Sequence, residues 1–110
     1  TSFNDHLRLV DTLGHPAVVC ALDTGHANVN GGIQACIEAF GPRLQHIHLH
    51  DNRGDRDEHL EVGKGAIPFS DLAPFLKNFG HLISLETRSP TDPQGAVLRS
   101  RAMIERLWQA

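Results

Sequence analysis

Short apolar runs alternate with amphipathic stretches along this chain. Leu7, Val10 and Leu13 recur at helical spacing, and Ser2 stands where a cap would open a helix reaching about Leu13. Gly14 and Pro16 punctuate its end. Ala17-Val-Val-Cys-Ala-Leu-Asp23 then predicts a strand buried on both faces, as parallel strands are. After Asn30-Gly-Gly, Ile33, Cys36, Ile37 and Phe40 mark one face of a helix that Gly41-Pro42 ends. Gln45 to His50 predicts a second strand, and Asn52 to Pro68 a long polar loop of the kind that compact domains keep for function. Ser70 is placed to cap a helix carrying Leu72, Phe75, Leu76 and Phe79, closed by Gly80. Leu82 to Glu86 predicts the third strand. Asp92-Pro93 reads as N-cap and first position of a last helix reaching about Trp108, with Val97, Met103, Ile104, Leu107 and Trp108 mostly inward.

The order α-β-α-β-α-β-α implies an α/β fold with parallel strands and right-handed crossovers. Side chains alternate faces along a strand. Val18, Cys20 and Leu22 therefore oppose Val19, Ala21 and Asp23; Ile47 and Leu49 oppose His46, His48 and His50; Ile83 and Leu85 oppose Leu82, Ser84 and Glu86. Each strand has an apolar side for helices and a metal-capable side chain opposite it, near the C-terminal end. In α/β barrels that end carries the active site.

Length and composition narrow the setting. The 110 residues, 40% of them apolar, suit a single domain over 1–110 with a core of its own. The apolar run Ala17–Leu22 is far too short to cross a bilayer, and no signal-peptide pattern opens the chain. The first residue is Thr, which fits a processed start or an excised piece. A net charge of -3 argues against a nucleic-acid partner and suits small polar substrates. Cys20 and Cys36 fall in a strand and a helix and read as two buried thiols in a reduced compartment, so the expected location is cytoplasmic. Histidine is the outlier, with eight in the chain.

Asp, Glu and His at strand ends suit zinc, manganese or a similar divalent ion, with no thiolate ligand implied. Asp23 and His26 are three apart and fit one ion or two neighbouring ones. Asp57 and His59 are two apart, so an extended loop points both the same way, and Gly54 and Gly63 help that loop fold back. Plainer readings compete. An Asp ending a strand commonly caps a helix. His46, deeper in its strand, reads as a hydrogen-bonded core histidine, and His50 as a surface residue at a strand end. Gly63-Lys-Gly65 reads as a plain turn before a phosphate cradle, and Arg53-Gly-Asp-Arg56 as a solvated loop. The convergence of six candidates at comparable strand ends favours the metal.

In order, Leu-Asp23-Thr-Gly-His26-Ala, His46-Ile-His48-Leu-His-Asp51-Asn, Asp57-Glu-His59-Leu-Glu-Val-Gly-Lys-Gly65 and Leu-Glu86-Thr resemble the C-terminal part of the xylose-isomerase-like TIM-barrel superfamily. That superfamily includes sugar-phosphate isomerases and epimerases and endonuclease IV, the zinc-dependent apurinic-site nuclease. The resemblance covers about Val18 to Trp108 and implies a partial TIM barrel, its strands corresponding to the sixth, seventh and eighth. It implies metal ligands at Asp23, His26, His48, Asp57, His59 and Glu86. Asp23, His48 and Glu86 would hold the central ion or ions, and His26, Asp57 and His59 a further zinc. In the epimerase branch Glu86 would also be a catalytic proton-transfer residue and His26 a substrate contact; Arg53 is taken as a second substrate-binding residue.

The resemblance thus implies a metal-dependent sugar or sugar-phosphate isomerase or epimerase. An endonuclease-IV-like phosphodiesterase is one alternative, and a non-catalytic part-barrel that binds metal or a partner protein is another. A full barrel takes about 250 residues, so the first five strands have no counterpart here. The second glutamate of the epimerase pair goes with them. The expectation is a homo-oligomer or a missing barrel half that covers the open inner face and the sheet edges.

Overall fold

A computed structural model describes residues 3–109. The elements are α1 (Phe3–Leu13), β1 (Cys20–Asp23), α2 (Thr24–Val29), α3 (Ile33–Phe40), a 3-10 turn (Gly41–Arg43), β2 (Leu44–Leu49), α4 (Phe69–Lys77), β3 (Leu82–Leu85) and α5 (Pro93–Gln109). The three strands form one parallel sheet in the order β1-β2-β3, alternating with helices and not closed into a barrel. Among the described residues no helix is long and apolar enough to cross a membrane.

The alternation read from the sequence decides which face is buried. Cys20, Leu22, Leu44, Ile47 and Leu49 are buried against Ile33, Cys36, Phe40, Phe69, Leu72, Leu76 and Ile104 from the helices. The opposite face is open: Leu82 is 64% exposed, Ala21 is exposed, and His46 and His48 are half-buried. Cys20 pairs with Leu44 but Ala21 with His46, so the register slips by one residue at Gln45. The slip lets Leu44 face the core alongside Ile47 and Leu49.

Several boundaries differ from expectation. The first strand begins at Cys20, not Ala17, because β2 begins only at Leu44 and offers nothing for Ala17 to Val19 to pair with. Those residues leave a turn in which the Val18 amide donates to the His15 carbonyl. Asp23 ends the strand and caps α2, a helix the periodicity did not predict, by accepting from the His26 amide at 2.8 Å. Ser70 is not a cap: α4 starts at Phe69 after Pro68, with no side-chain capping bond. Asp92 does cap α5, accepting from the Gly95 amide. On α5 the buried positions are Ala96, Ser100 and Ile104, so Val97 lies outward. On α1, Leu7 and Val10 pack against the core while Leu13 is exposed. Ser2, expected to cap α1, lies outside the described residues.

Candidate metal centre

Parallel pairing brings the chemistry to one end of the sheet. Asp23 is the register partner of His48, and the Glu86 amide donates to the Leu49 carbonyl, so β1, β2 and β3 finish side by side. His48 Nδ1 lies 3.0 Å from Glu86 Oε1. His46 Nε2 is 2.9 Å from Ser84 Oγ, a side-chain bond across the strands. Among the described residues, two sets of three metal-capable side chains have ligand atoms within 4.8 Å of one another: Asp23, His50 and Glu86, and His50, Asp57 and His59.

His50 belongs to both sets, which corrects its reading as a surface residue. It is 0% exposed. Its Nε2 lies 2.6 Å from Asp23 Oδ1, and its ring stacks on that of His59 at 3.7 Å between centroids and 2° between planes. Two neighbours put it there. The buried Thr24 hydroxyl donates to the His50 carbonyl at 2.8 Å and accepts from the His50 amide at 3.1 Å. Gly25 leaves the space: a Cβ there would stand 2.1 Å from His50 Cε1.

The loop after β2 is held by an anchor that the spacing did not reveal. Asp51 is fully buried. Its Oδ1 accepts from the Asn52 and Ile67 amides at 2.8 and 3.1 Å, and its Oδ2 from the Gly63 and Gly65 amides at 3.0 Å each. The amides of Gly63 and Gly65 thus cradle the chain's own carboxylate, and that of Lys64 donates to the Glu61 carbonyl, so none is available to a phosphate. Asn52 adds a second tie, donating to the Gly25 carbonyl and accepting from Asn28. Asp51 and Leu60 exchange backbone bonds, which returns the loop to the strand ends with Asp57 and His59 on it. Gly54 and Gly63 have positive φ, as the fold-back needs.

Asp57 and His59 meet, though not through an extended segment. His59 has φ 56, left-handed for a non-glycine residue. Its Nδ1 sits 2.8 Å from the Glu86 carbonyl oxygen and its Nε2 3.3 Å from Asp57 Oδ2. His26 is exposed and belongs to neither three-residue set. Arg53 is exposed, its guanidinium 2.8 Å from Glu58 Oε2. Burial pulls the Asp23 carboxyl upward, but the bonds from the His50 ring and the His26 amide outweigh it and hold the group below its usual range.

Three comparisons bear on this arrangement. A family model described as "Xylose isomerase-like TIM barrel" matches residues 1–107. Two curated proteins of Methanocaldococcus jannaschii are similar, each 34% identical over 91 residues. "Uncharacterized protein MJ1614" is matched over 81% of this chain and 35% of its own length, and "Uncharacterized protein MJ1311" over 78% and 31%. The chain thus spans about a third of the length of these relatives. A solved structure described as a D-tagatose 3-epimerase-like protein superposes with a TM-score of 0.71 at 25% identity, covering 94% of this chain and 40% of that one.

Proposed function

The chain belongs to the xylose isomerase-like TIM-barrel family, and from that premise we propose that it supplies one wall of a divalent-metal-dependent sugar or sugar-phosphate isomerase or epimerase site. One observation carries the reading: Asp23, His48 and Glu86 stand at the C-terminal ends of three adjacent parallel strands, with His48 Nδ1 3.0 Å from the Glu86 carboxylate. The epimerase-like solved structure supports it. Carboxylate and imidazole donors fit zinc or manganese, and both thiols lie buried toward the helices. In this reading Asp23, His48 and Glu86 hold the ion. When bound, it supplies Lewis acidity to the carbonyl and hydroxyl oxygens of a sugar.

The chain's own groups do the rest. Glu86 takes the proton from the carbon beside the carbonyl, and His48 orients its carboxylate. His26 on α2 and Arg53 on the loop after β2, both exposed, contact the substrate beside the strand ends. The opposite wall, with a second acid or base, comes from further barrel residues or from a second copy of the chain. The free, buried thiols suit the cytoplasm.

The test is deuterium uptake. The metal-loaded protein is incubated in D2O with a panel of ketoses and ketose phosphates; exchange at the carbon next to the carbonyl is expected, and Glu86→Gln abolishes it. No exchange across the panel by protein carrying its metal sinks the reading. A zinc phosphodiesterase is the second reading, favoured by the 3.3 Å approach of His59 to Asp57, which readies a further ion. Nicking of abasic duplex DNA would decide for it.

A further inference from the structure

We propose that His46, held by Ser84, is a positioning residue that fixes the ring of His48 for Glu86 and for the ion. The inference rests on the reading of His48 and Glu86 as metal ligands. His46 and Ser84 lie half-buried on the open face of the sheet, outside the core that the helices cover. His46 has Ala21 as its register partner on β1 and Leu82 on β3, and neither side chain offers a polar group. Its ring leans along the strand instead and places Nε2 2.9 Å from the hydroxyl of Ser84, past Leu82 on β3. His48 repeats the move one tier up. Its register partner is Ser84, and its Nδ1 lies 3.0 Å from the carboxylate of Glu86. The two tiers touch through their rings, with centroids 4.4 Å apart and planes at 70°. That is an edge-to-face contact, which resists rotation of either ring.

Ring orientation matters at His48 because its two nitrogens have different tasks. An ionised carboxylate only accepts, so Nδ1 holds the ring hydrogen that Glu86 receives, and Nε2 presents the lone pair. Turning the ring about its bond to Cβ takes that hydrogen from Glu86 and redirects the lone pair. The His48 ring stands on the face that the helices leave open, and His46 is the neighbour on its own strand that confines it. Ser84 makes that neighbour firm by tying the His46 ring at Nε2. Packing and hydrogen bonds one shell out are what hold a metal-binding imidazole at a productive angle. The competing account is a strand staple: the bond from β2 to β3 stabilises the sheet and leaves the His48 ring indifferent.

Three measurements on the intact chain separate the two. Long-range 1H–15N spectra of the metal-free protein report which His48 nitrogen holds the hydrogen, electron paramagnetic resonance reports Mn2+ affinity, and urea unfolding reports stability. The parent should show the His48 hydrogen on Nδ1. His46→Ala should spread it over both nitrogens and weaken Mn2+ about three- to tenfold, the worth of one edge-to-face pair. Ser84→Ala, a smaller change at a residue outside the core, should move both readouts the same way. Ser84→Thr keeps the hydroxyl and should keep the parent values. An unchanged His48 spectrum in both alanine variants overturns the proposal, and so does unchanged Mn2+ affinity when the parent binds the ion. A lowered unfolding midpoint with both readouts unmoved is the strand staple alone. The isomerase reading fails separately: no Mn2+ binding or no deuterium exchange by the parent sinks that reading, while the His48 spectra still decide whether His46 sets the ring.

Discussion

Replacing Asp51 by asparagine should detach the loop that carries Asp57 and His59. The carboxylate accepts four backbone amides, two on each oxygen, in a fully buried position. Asparagine keeps one acceptor oxygen and turns an NH2 group toward the other two amides, donor against donor. Each buried donor left without an acceptor costs about 1–3 kcal/mol, or about 2–6 kcal/mol for a pair as enclosed as Asn52 and Ile67, and less on the side of the exposed Gly63 and half-buried Gly65, which water can reach. Asparagine also escapes the cost of burying a charge, which places the expected loss in the lower half, about 2–4 kcal/mol. Domains of this size are stable by only about 5–15 kcal/mol.

Urea unfolding of parent and variant at one protein concentration measures the difference, with the slope unchanged and the midpoint lowered. Amide exchange locates it: Gly63 and Gly65 should lose protection first if the NH2 group settles on the Oδ2 side. A loss under about 1 kcal/mol, with those amides as protected as before, would refute the claim that this carboxylate holds the loop.

Gly65→Ala attacks the same anchor from the other side: the new Cβ would meet the Asn52 carbonyl oxygen at 2.3 Å and Asp51 Oδ1 at 2.6 Å. Backbone must shift, and a cost of at least about 1–3 kcal/mol is expected by thermal unfolding; an unchanged midpoint contradicts it. Burial pushes the Cys36 thiol up to about 12 and raises Cys20 as well, so neither should react with a disulfide reagent at pH 8 until the protein unfolds; rapid labelling of native protein refutes this. Arg99 hydrogen-bonds Glu61 and Asp92 and holds both below the usual carboxylate range. Their folded values lie below the unfolded ones, so their stabilisation is complete above the ordinary carboxylate range and is lost as pH falls through the lowered values. Arg99→Gln should raise both in a carboxyl NMR titration, and unmoved titrations would count against the assignment.

Features set by local period or by a cap were legible in the sequence. The inward positions of Cys20, Leu22, Ile47 and Leu49 followed from alternation, and the Asp92 cap from an Asp-Pro pair. His50 escaped because it stands one residue beyond the last strand position, where alternation no longer dictates direction. Its placement is tertiary, set by the Thr24 hydroxyl and by the missing Cβ at Gly25. The signal present was that glycine between Asp23 and His26: a glycine inside a short helix asks what approaches it closely. Asp51 escaped likewise, since its four donors are spread from Asn52 to Ile67 and no short motif holds them together. Those same contacts fit the plain-turn reading of Gly63-Lys-Gly65 over a phosphate cradle, since its amides already have acceptors.

Asp23 shows why so few residues organise so much of this end of the sheet. One oxygen caps α2 through the His26 amide and fixes the His50 ring. Capping sets the start of the helix that carries Gly25, and Gly25 in turn gives the His50 ring its room. The ring then stacks on His59, which the Glu86 carbonyl already holds at β3. A closed circuit therefore runs from β1 through the loop to β3 and back across β2, built from single hydrogen bonds and one missing methyl. Such a circuit holds these side chains in place through one another, which is what the proposed site on short strands needs. It also explains how an open three-stranded sheet keeps its polar end ordered. The strand ends are tied to one another by side chains, so their order does not depend on neighbouring strands alone.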